Sequence, residues 1–372
     1  LYENTTGTDN TAIGWQALQS NTTGIRNTAI GSNSLDENTT GSYNTAIGPV
    51  ALSANTTGSN NTAIGDSALY QNTTGSYSVA IGALALNSNT TGGYNTAVGY
   101  AALYENTTGI DNTAVGFQSM RYNTTGYSNT ALGFRTLYSN TTGYDNTALG
   151  YETLINNTTG SVNTALGFRA GYANVSGSYN TLLGYETGYS AGSFSDSTLI
   201  GYRAGKYLDG DSNVVIGSNA AGASGNSGSY NVIIGYNACN SLTSSNNLCI
   251  GSNGNNLITG NFNTGIVVLG STSGYAHIPG DLYVGGTIYE GTNPSNSNDD
   301  SGKSNDDSNG GSNASDNQGS DSNEDFDPVV DPEPDSGSDG NSDDIQREVE
   351  KYARFNSKLN AEETTFQSLK SD

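Results

Sequence analysis

A strict 17-residue register runs through most of this chain and limits what it can fold into. The glycine that closes N-T-A-aliphatic-G, or a near variant, falls at Gly14, Gly31, Gly48, Gly65, Gly82, Gly99, Gly116, Gly133, Gly150, Gly167, Gly184 and Gly201. No insertion or deletion interrupts the step. The glycine of a second motif, NTTG, keeps the same interval from Gly7 to Gly160, then falls at Gly177 in the variant NVSG. After Gly201 the register loosens to Gly217, Gly235 and Gly251, so residues 1–251 hold about 15 units. A fixed period of this kind marks a stack of similar turns, each covering only its neighbours. The chain opens in mid-unit at LYENTTG, so further rungs upstream are expected.

One unit reads x-x-N-T-A-[ILV]-G-x-x-A-L-x-x-N-T-T-G. Thr-Ala-Ile-Gly is too short for a helix and suits a strand of three or four residues. Ala-Leu, five residues on, reads as a second short strand, with the intervening Gly allowing a sharp bend. NTTG has Asn first and Gly fourth, as a type I turn prefers. Two strands and two turns in 17 residues make one coil of an all-β β-solenoid, a β-roll. In the later units the Thr column becomes Thr198, Val214, Val232 and Leu248, and the Ala column Leu199, Val215, Ile233 and Cys249. Both columns accept apolar residues, so burial of both strand faces is expected. That requires a second body, and three chains about one axis is the simplest arrangement.

Composition agrees with a stack rather than a sphere. The chain has 372 residues, 50 of them Gly, and is 33% hydrophobic, low for a globular core. No run of about 18 apolar residues is present to span a membrane. The net charge of −23 is uneven. Residues 1–291 carry 15 acids and 6 bases, residues 292–344 carry 15 acids and one base, and residues 345–372 carry five of each. So acidic a chain repels phosphate backbones, which argues against nucleic acid as a partner.

NTAIGxxALxxNTTG, with the later NTLLGYETGYSAGS and STLIGYRAG, resembles the head repeats of YadA-like trimeric autotransporter adhesins. It resembles still more the related repeats of phage and bacterial trimeric tail-fibre proteins. The resemblance covers about two thirds of the chain. It implies a trimeric β-roll acting as a stalk or binding head. The NTTG turn departs from it by making the unit longer than the usual adhesin repeat. AHIPGDLYVGGTIYEG, residues 276–291, resembles the short β neck that ends many tail fibres. The self-cleaving chaperone domain that often follows such a neck is replaced here by an acidic segment.

The expected organisation is therefore a repeat domain over 1–251, a β neck over 252–291, a disordered acidic linker over 292–344 and a short helix over 345–372. The linker is low in complexity and nearly free of large apolar groups. In the last segment Ile345, Val349, Tyr352, Asn356, Leu359, Glu363 and Phe366 follow a 4-3-4-3-4-3 spacing. That is a heptad seam with two polar positions. It reads either as a short coiled coil helping trimerisation or as a marginal exposed helix.

Residues with chemistry to offer are few. The single His is His277, in the neck, and no catalytic triad can be built on it, so no enzyme is expected. DGDSN, residues 209–213, begins like a calcium loop, but Val214 and Ala220 stand where the loop glycine and closing acid belong. It reads as a turn, and no metal or cofactor is expected. Cys239 and Cys249 lie in neighbouring degenerate rungs and read either as a disulfide of an extracellular protein or as small buried apolar residues.

The NTT triplets are N-x-[ST] sequons at Asn4, Asn21, Asn38, Asn55, Asn72, Asn89, Asn106, Asn123, Asn140 and Asn157, with Asn174 in NVS. In a secreted eukaryotic or eukaryotic-virus protein, a turn outside the roll would be a good glycan acceptor. The other reading is that Asn and Thr simply suit the turn. Thr columns also raise ice binding, but Thr107 and Thr108 are adjacent and should point to opposite sides. Aromatics recur after the bend (Tyr100, Phe117, Phe134, Tyr151, Phe168, Tyr185, Tyr202) and after Ala-Leu (Tyr70, Tyr104, Tyr138, Tyr172, Tyr189). They could bind sugars or pack rung on rung.

The expected function is a structural fibre at the cell surface, outside the cell or on a virion: a self-associated stalk or rod reaching a receptor or glycan. A monomeric solenoid building a filament, sheath or matrix is the alternative.

Overall fold

The computed structural model describes residues 2–189, 192–240, 242–253 and 255–269. The linker expected over 292–344, the helix expected over 345–372, His277 and residues 270–291 of the expected neck lie outside the described residues.

The described chain is all β, a solenoid with a 17-residue step. Fourteen three-residue strands run from β1 (Thr11–Ile13) and β2 (Thr28–Ile30) to β14 (Val232–Ile234). Each pairs in parallel with the next, like residue on like residue: Thr11 on Thr28, Ala12 on Ala29, Ile13 on Ile30. At about 4.8 Å per strand, the stack is roughly 65 Å long. β15 (Asn247–Ser252) continues the parallel pairing with β14. It then starts an antiparallel meander with β16 (Asn255–Asn261) and β17 (Ile266–Leu269). β15 is thus the last strand of the parallel stack among the described residues, and the strands after it reverse direction.

Each rung differs from the expected two-strand coil. Only Thr-Ala-aliphatic is a strand. Ala-Leu lies in a chain of turns in which alternate residues take left-handed φ, such as Asn33 at 55° and Leu35 at 50°. These turns are still tied to their neighbours, as Leu35 N–H donates to Ala51 O of the next rung and Asn33 N–H to Trp15 O of the previous one. A left-handed leucine costs about 1–2 kcal/mol. Full burial of its side chain returns about 1.5–3 kcal/mol. Burial wins, because Leu18, Leu35, Leu52 and their successors to Leu154 are wholly buried, with Met120 taking one place.

Three later rungs resolve the conflict differently. Gly171, Gly188 and Gly205 take the left-handed position, with φ of 64°, 59° and 57°. The strand alanine becomes Leu182 and Leu199, both fully buried. A Cβ on Gly171 would stand 2.7 Å from Leu154 Cδ2 and from Leu182 Cδ1. The leucine has moved from the turn to the strand, and glycine leaves room for it.

The interior is not purely apolar. Two asparagine ladders run through it. Asn38 Nδ2 donates to Asn21 Oδ1 of the rung before at 2.8 Å and to Gly41 O at 3.0 Å. Asn27 Nδ2 donates to the same Gly41 O at 2.8 Å, while Asn27 N–H donates to Asn10 Oδ1. One glycine carbonyl therefore uses both lone pairs to join the ladders. The asparagine side chain, not a backbone bond, closes the NTTG turn. Glycine is needed there because a Cβ on Gly24 would stand 2.3 Å from Gly41 O.

The two strand faces differ within one chain. The alanine face is buried, but Thr is half-buried to exposed and the third position is often exposed. One face is covered within the chain and the other is left open.

Candidate assembly and binding surfaces

Three surfaces follow from the repeat. The first is the open strand face. Thr and the aliphatic residue two places on share it, because alternate strand side chains point the same way. It runs the length of the stack, with Ile13 58%, Leu149 44% and Leu166 45% exposed. An ordinary surface strand would carry polar residues here. The third position is instead Ile, Val or Leu in every strand from β1 to β14, and the first is Thr in all but β5, β13 and β14, where it is Val.

The second surface lies beyond the glycine bend. Tyr100, Phe117, Phe134, Tyr151, Phe168, Tyr185 and Tyr202 stack ring on ring, with centroids 4.9–5.4 Å apart. Neighbouring rings occupy one another's faces, so the column offers edges, not faces, to a ligand. This is the rung-to-rung packing reading of these aromatics. The other column is broken: Tyr172 stacks on Tyr189, but Tyr138 meets Tyr122 edge-on.

Between the aromatics runs a charged column: Gln118, Arg135, Glu152, Arg169, Glu186 and Arg203 on successive rungs. Arg135 Nε donates to Gln118 Oε1 at 3.0 Å, Arg169 Nε to Glu152 Oε2 at 2.7 Å and Arg203 Nε to Glu186 Oε2 at 2.9 Å. Lys206 Nζ adds a bond to Glu186 at 2.8 Å. Partial burial pushes the Glu186 carboxyl up, but hydrogen bonds from Lys206 and Arg203 outweigh it and hold it below its ordinary range. Burial, then the bond to Tyr122, raises the Tyr138 phenol, which stays a neutral donor. The motif periodicity hid this column, because its residue varies from rung to rung. Reading the sequence at steps of 17 from Gln118 would have exposed it.

The third surface is the NTTG corner. Asn21 and its successors to Asn174 are fully buried, and each Nδ2 donates to the glycine three residues on. That nitrogen is the atom a glycan would need. A sugar on any of Asn21, Asn38, Asn55, Asn72, Asn89, Asn106, Asn123, Asn140, Asn157 or Asn174 and this fold exclude one another. Asn4, at the end of the stack, is exposed but makes the same bond to Gly7 O. The adjacent threonines divide as their positions imply. Thr107 Oγ1 donates to Thr124 O of the next rung, and Thr108 faces solvent.

Two further candidates resolve simply. Cys239 and Cys249 form a disulfide with Cα atoms 6.3 Å apart. It ties left-handed Cys239, in the column of the turn leucines, to β15, where the solenoid gives way to the meander. In DGDSN, Asp209 accepts from Gly192 N–H and Asp211 from Ser195 N–H. Those carboxylates brace the neighbouring rung. Among the described residues no His, Cys, Asp and Glu cluster could hold a metal, and no helix is long and apolar enough to cross a membrane.

Comparison with known proteins adds nothing to this geometry: no family model, curated protein or solved structure matches the chain.

Proposed function

We propose that the chain is a rigid length of a fibre: a trimeric, non-enzymatic stalk or binding rod outside the cell or on a virion. The observation that carries this is the open ladder of Ile, Val and Leu along the strand face. A soluble chain rarely leaves so long an apolar stripe uncovered. The Thr and aliphatic columns over 14 rungs make a stripe of about 7 Å by 65 Å, roughly 450 Å² per chain, a continuous patch of the size that marks an interaction site. A parallel ladder repeats on every copy, so copies sharing an axis match rung for rung. The repeat resemblance to trimeric fibres points the same way, and the disulfide suits an oxidising compartment.

The test is a triple substitution, Val98→Asp, Leu132→Asp and Leu166→Asp, on the outward face. These side chains are half-buried or exposed within one chain, so the solenoid should survive and the oligomer should not. Native-size assembly by light scattering, with β circular dichroism kept, would contradict the proposal. A wild-type monomer that grows into open filaments would favour the end-to-end solenoid instead.

A further inference from the structure

Five of the six basic residues in 1–291 lie on one strip: Arg121, Arg135, Arg169, Arg203 and Lys206. The rest of that region is acidic, so this concentration is local. We infer that the strip beyond the glycine bend binds a linear anionic polysaccharide laid along the rod, one with a carboxylate on every second sugar. This rests on the reading of the chain as an extracellular rod and names the kind of partner it would hold.

The first argument is spacing. Arg135, Arg169 and Arg203 are 34 residues apart, which is two rungs, or about 9.6 Å. A glycan charged once per disaccharide presents its carboxylates at a comparable interval. Nucleic acid carries a charge about every 3.4 Å per strand, far denser than this column.

The second argument is what the cations leave free. None of the hydrogen bonds that Arg135, Arg169 and Arg203 make among the described residues uses a terminal guanidinium nitrogen; each bonds its rung neighbour through Nε. That bond fixes the fork, and a fixed fork is the geometry that grips a carboxylate in bidentate fashion. Glu152 and Glu186 thereby act as positioners, since each holds a guanidinium in place. Arg121 has no carboxylate partner among the described residues, and its Nε is buried without a hydrogen bond. Its guanidinium lies 5.2 Å from the centre of the Tyr104 ring and 5.5 Å from that of Tyr122. The Tyr172 phenol borders the strip and stays protonated, a donor for sugar hydroxyls, while the Tyr138 O–H donates to Tyr122. The stacked aromatics offer only edges, so recognition would run through charge and hydrogen bonds rather than ring-on-sugar stacking.

The test is calorimetric titration of the full chain with hyaluronate, neutral dextran and single-stranded DNA. Hyaluronate should bind, with affinity falling as salt rises, and dextran should not. Arg121→Gln with Arg135→Gln should weaken hyaluronate about tenfold or more, as loss of charged hydrogen bonds does. If that variant loses its β circular dichroism, Glu152→Gln with Arg169→Gln removes one pair without changing net charge and should weaken binding likewise. No hyaluronate binding, DNA bound as tightly, or full affinity in a folded variant would overturn the inference. Light scattering on the same samples separates the two readings. A trimer that ignores hyaluronate sinks the ligand alone, and a monomer that binds it sinks the fibre alone.

Discussion

The asparagine of NTTG is the residue on which each rung depends. Asn106 is buried; its Nδ2 donates to Asn89 Oδ1 and Gly109 O, and its Oδ1 accepts from Asn123. Asn106→Ala leaves Asn89 Oδ1 buried and unpaired, and takes one of two bonds from Gly109 O and from Asn123 Nδ2, at about 1–3 kcal/mol. Thermal unfolding of this variant should fall clearly below wild type, while Thr108→Ala, on the exposed neighbour, should leave it unchanged. Equal melting of the two would contradict the interior ladder. The ladder also has an end. Asn174 Oδ1 accepts from Gly177 N–H, and Asn157 Oδ1 is buried without a partner. Beyond it fully buried Phe194 stands where the turn glycine would be. Charge has a residue-scale consequence too. The Glu186 carboxyl lies below its ordinary value. A depressed carboxylate stabilises the fold above its unfolded pKa, about 4.3, and that contribution is lost as pH falls through the folded value. The melting difference between wild type and Glu186→Gln should therefore be constant near neutrality and shrink only below about pH 4. A difference that shrinks between pH 6 and 8 would contradict this.

At the scale of the element, the rung exchanges volume between two positions. Gly188 faces Phe194 and Leu199, and a Cβ there would stand 2.9 Å from Phe194 Cζ and 3.3 Å from Leu199 Cδ1. Gly188→Leu alone should destabilise by overpacking, about 1–3 kcal/mol. Adding Leu199→Ala should recover part of the loss, because it removes one of the two side chains the new leucine meets, Phe194 being the other. Additive losses in a double-mutant cycle would contradict the exchange. These positions also show what the sequence made legible. The 17-residue step and the glycines gave the solenoid, because stacked identical residues need identical bends. The Ala-Leu piece was misread as a strand, since an apolar pair does not reveal that its leucine is left-handed. Gly171, Gly188 and Gly205 carried that signal, as they stand in the leucine column. The sequons left two readings open for a related reason. Asn suits a turn from either side, and only the rung-to-rung bond at Asn21 shows that its amide points inward.

At the scale of the molecule, the fold leaves one strand face open and carries the charged strip beyond the glycine bend. A rod of this build gains length by adding rungs without changing either surface. The strip occupies the rungs from Tyr100 to Lys206, while the earlier rungs carry Trp15, Ser32, Pro49, Asp66 and Ala83 at the same column. Length and recognition would thus belong to different stretches of one stack. The central claim is that the open aliphatic face is covered by two further copies. The measurement that tests it most directly is the light-scattering mass of the full chain in dilute solution. The account predicts three times the chain mass, held on dilution. A mass of one chain, with the solenoid intact by circular dichroism, would contradict it.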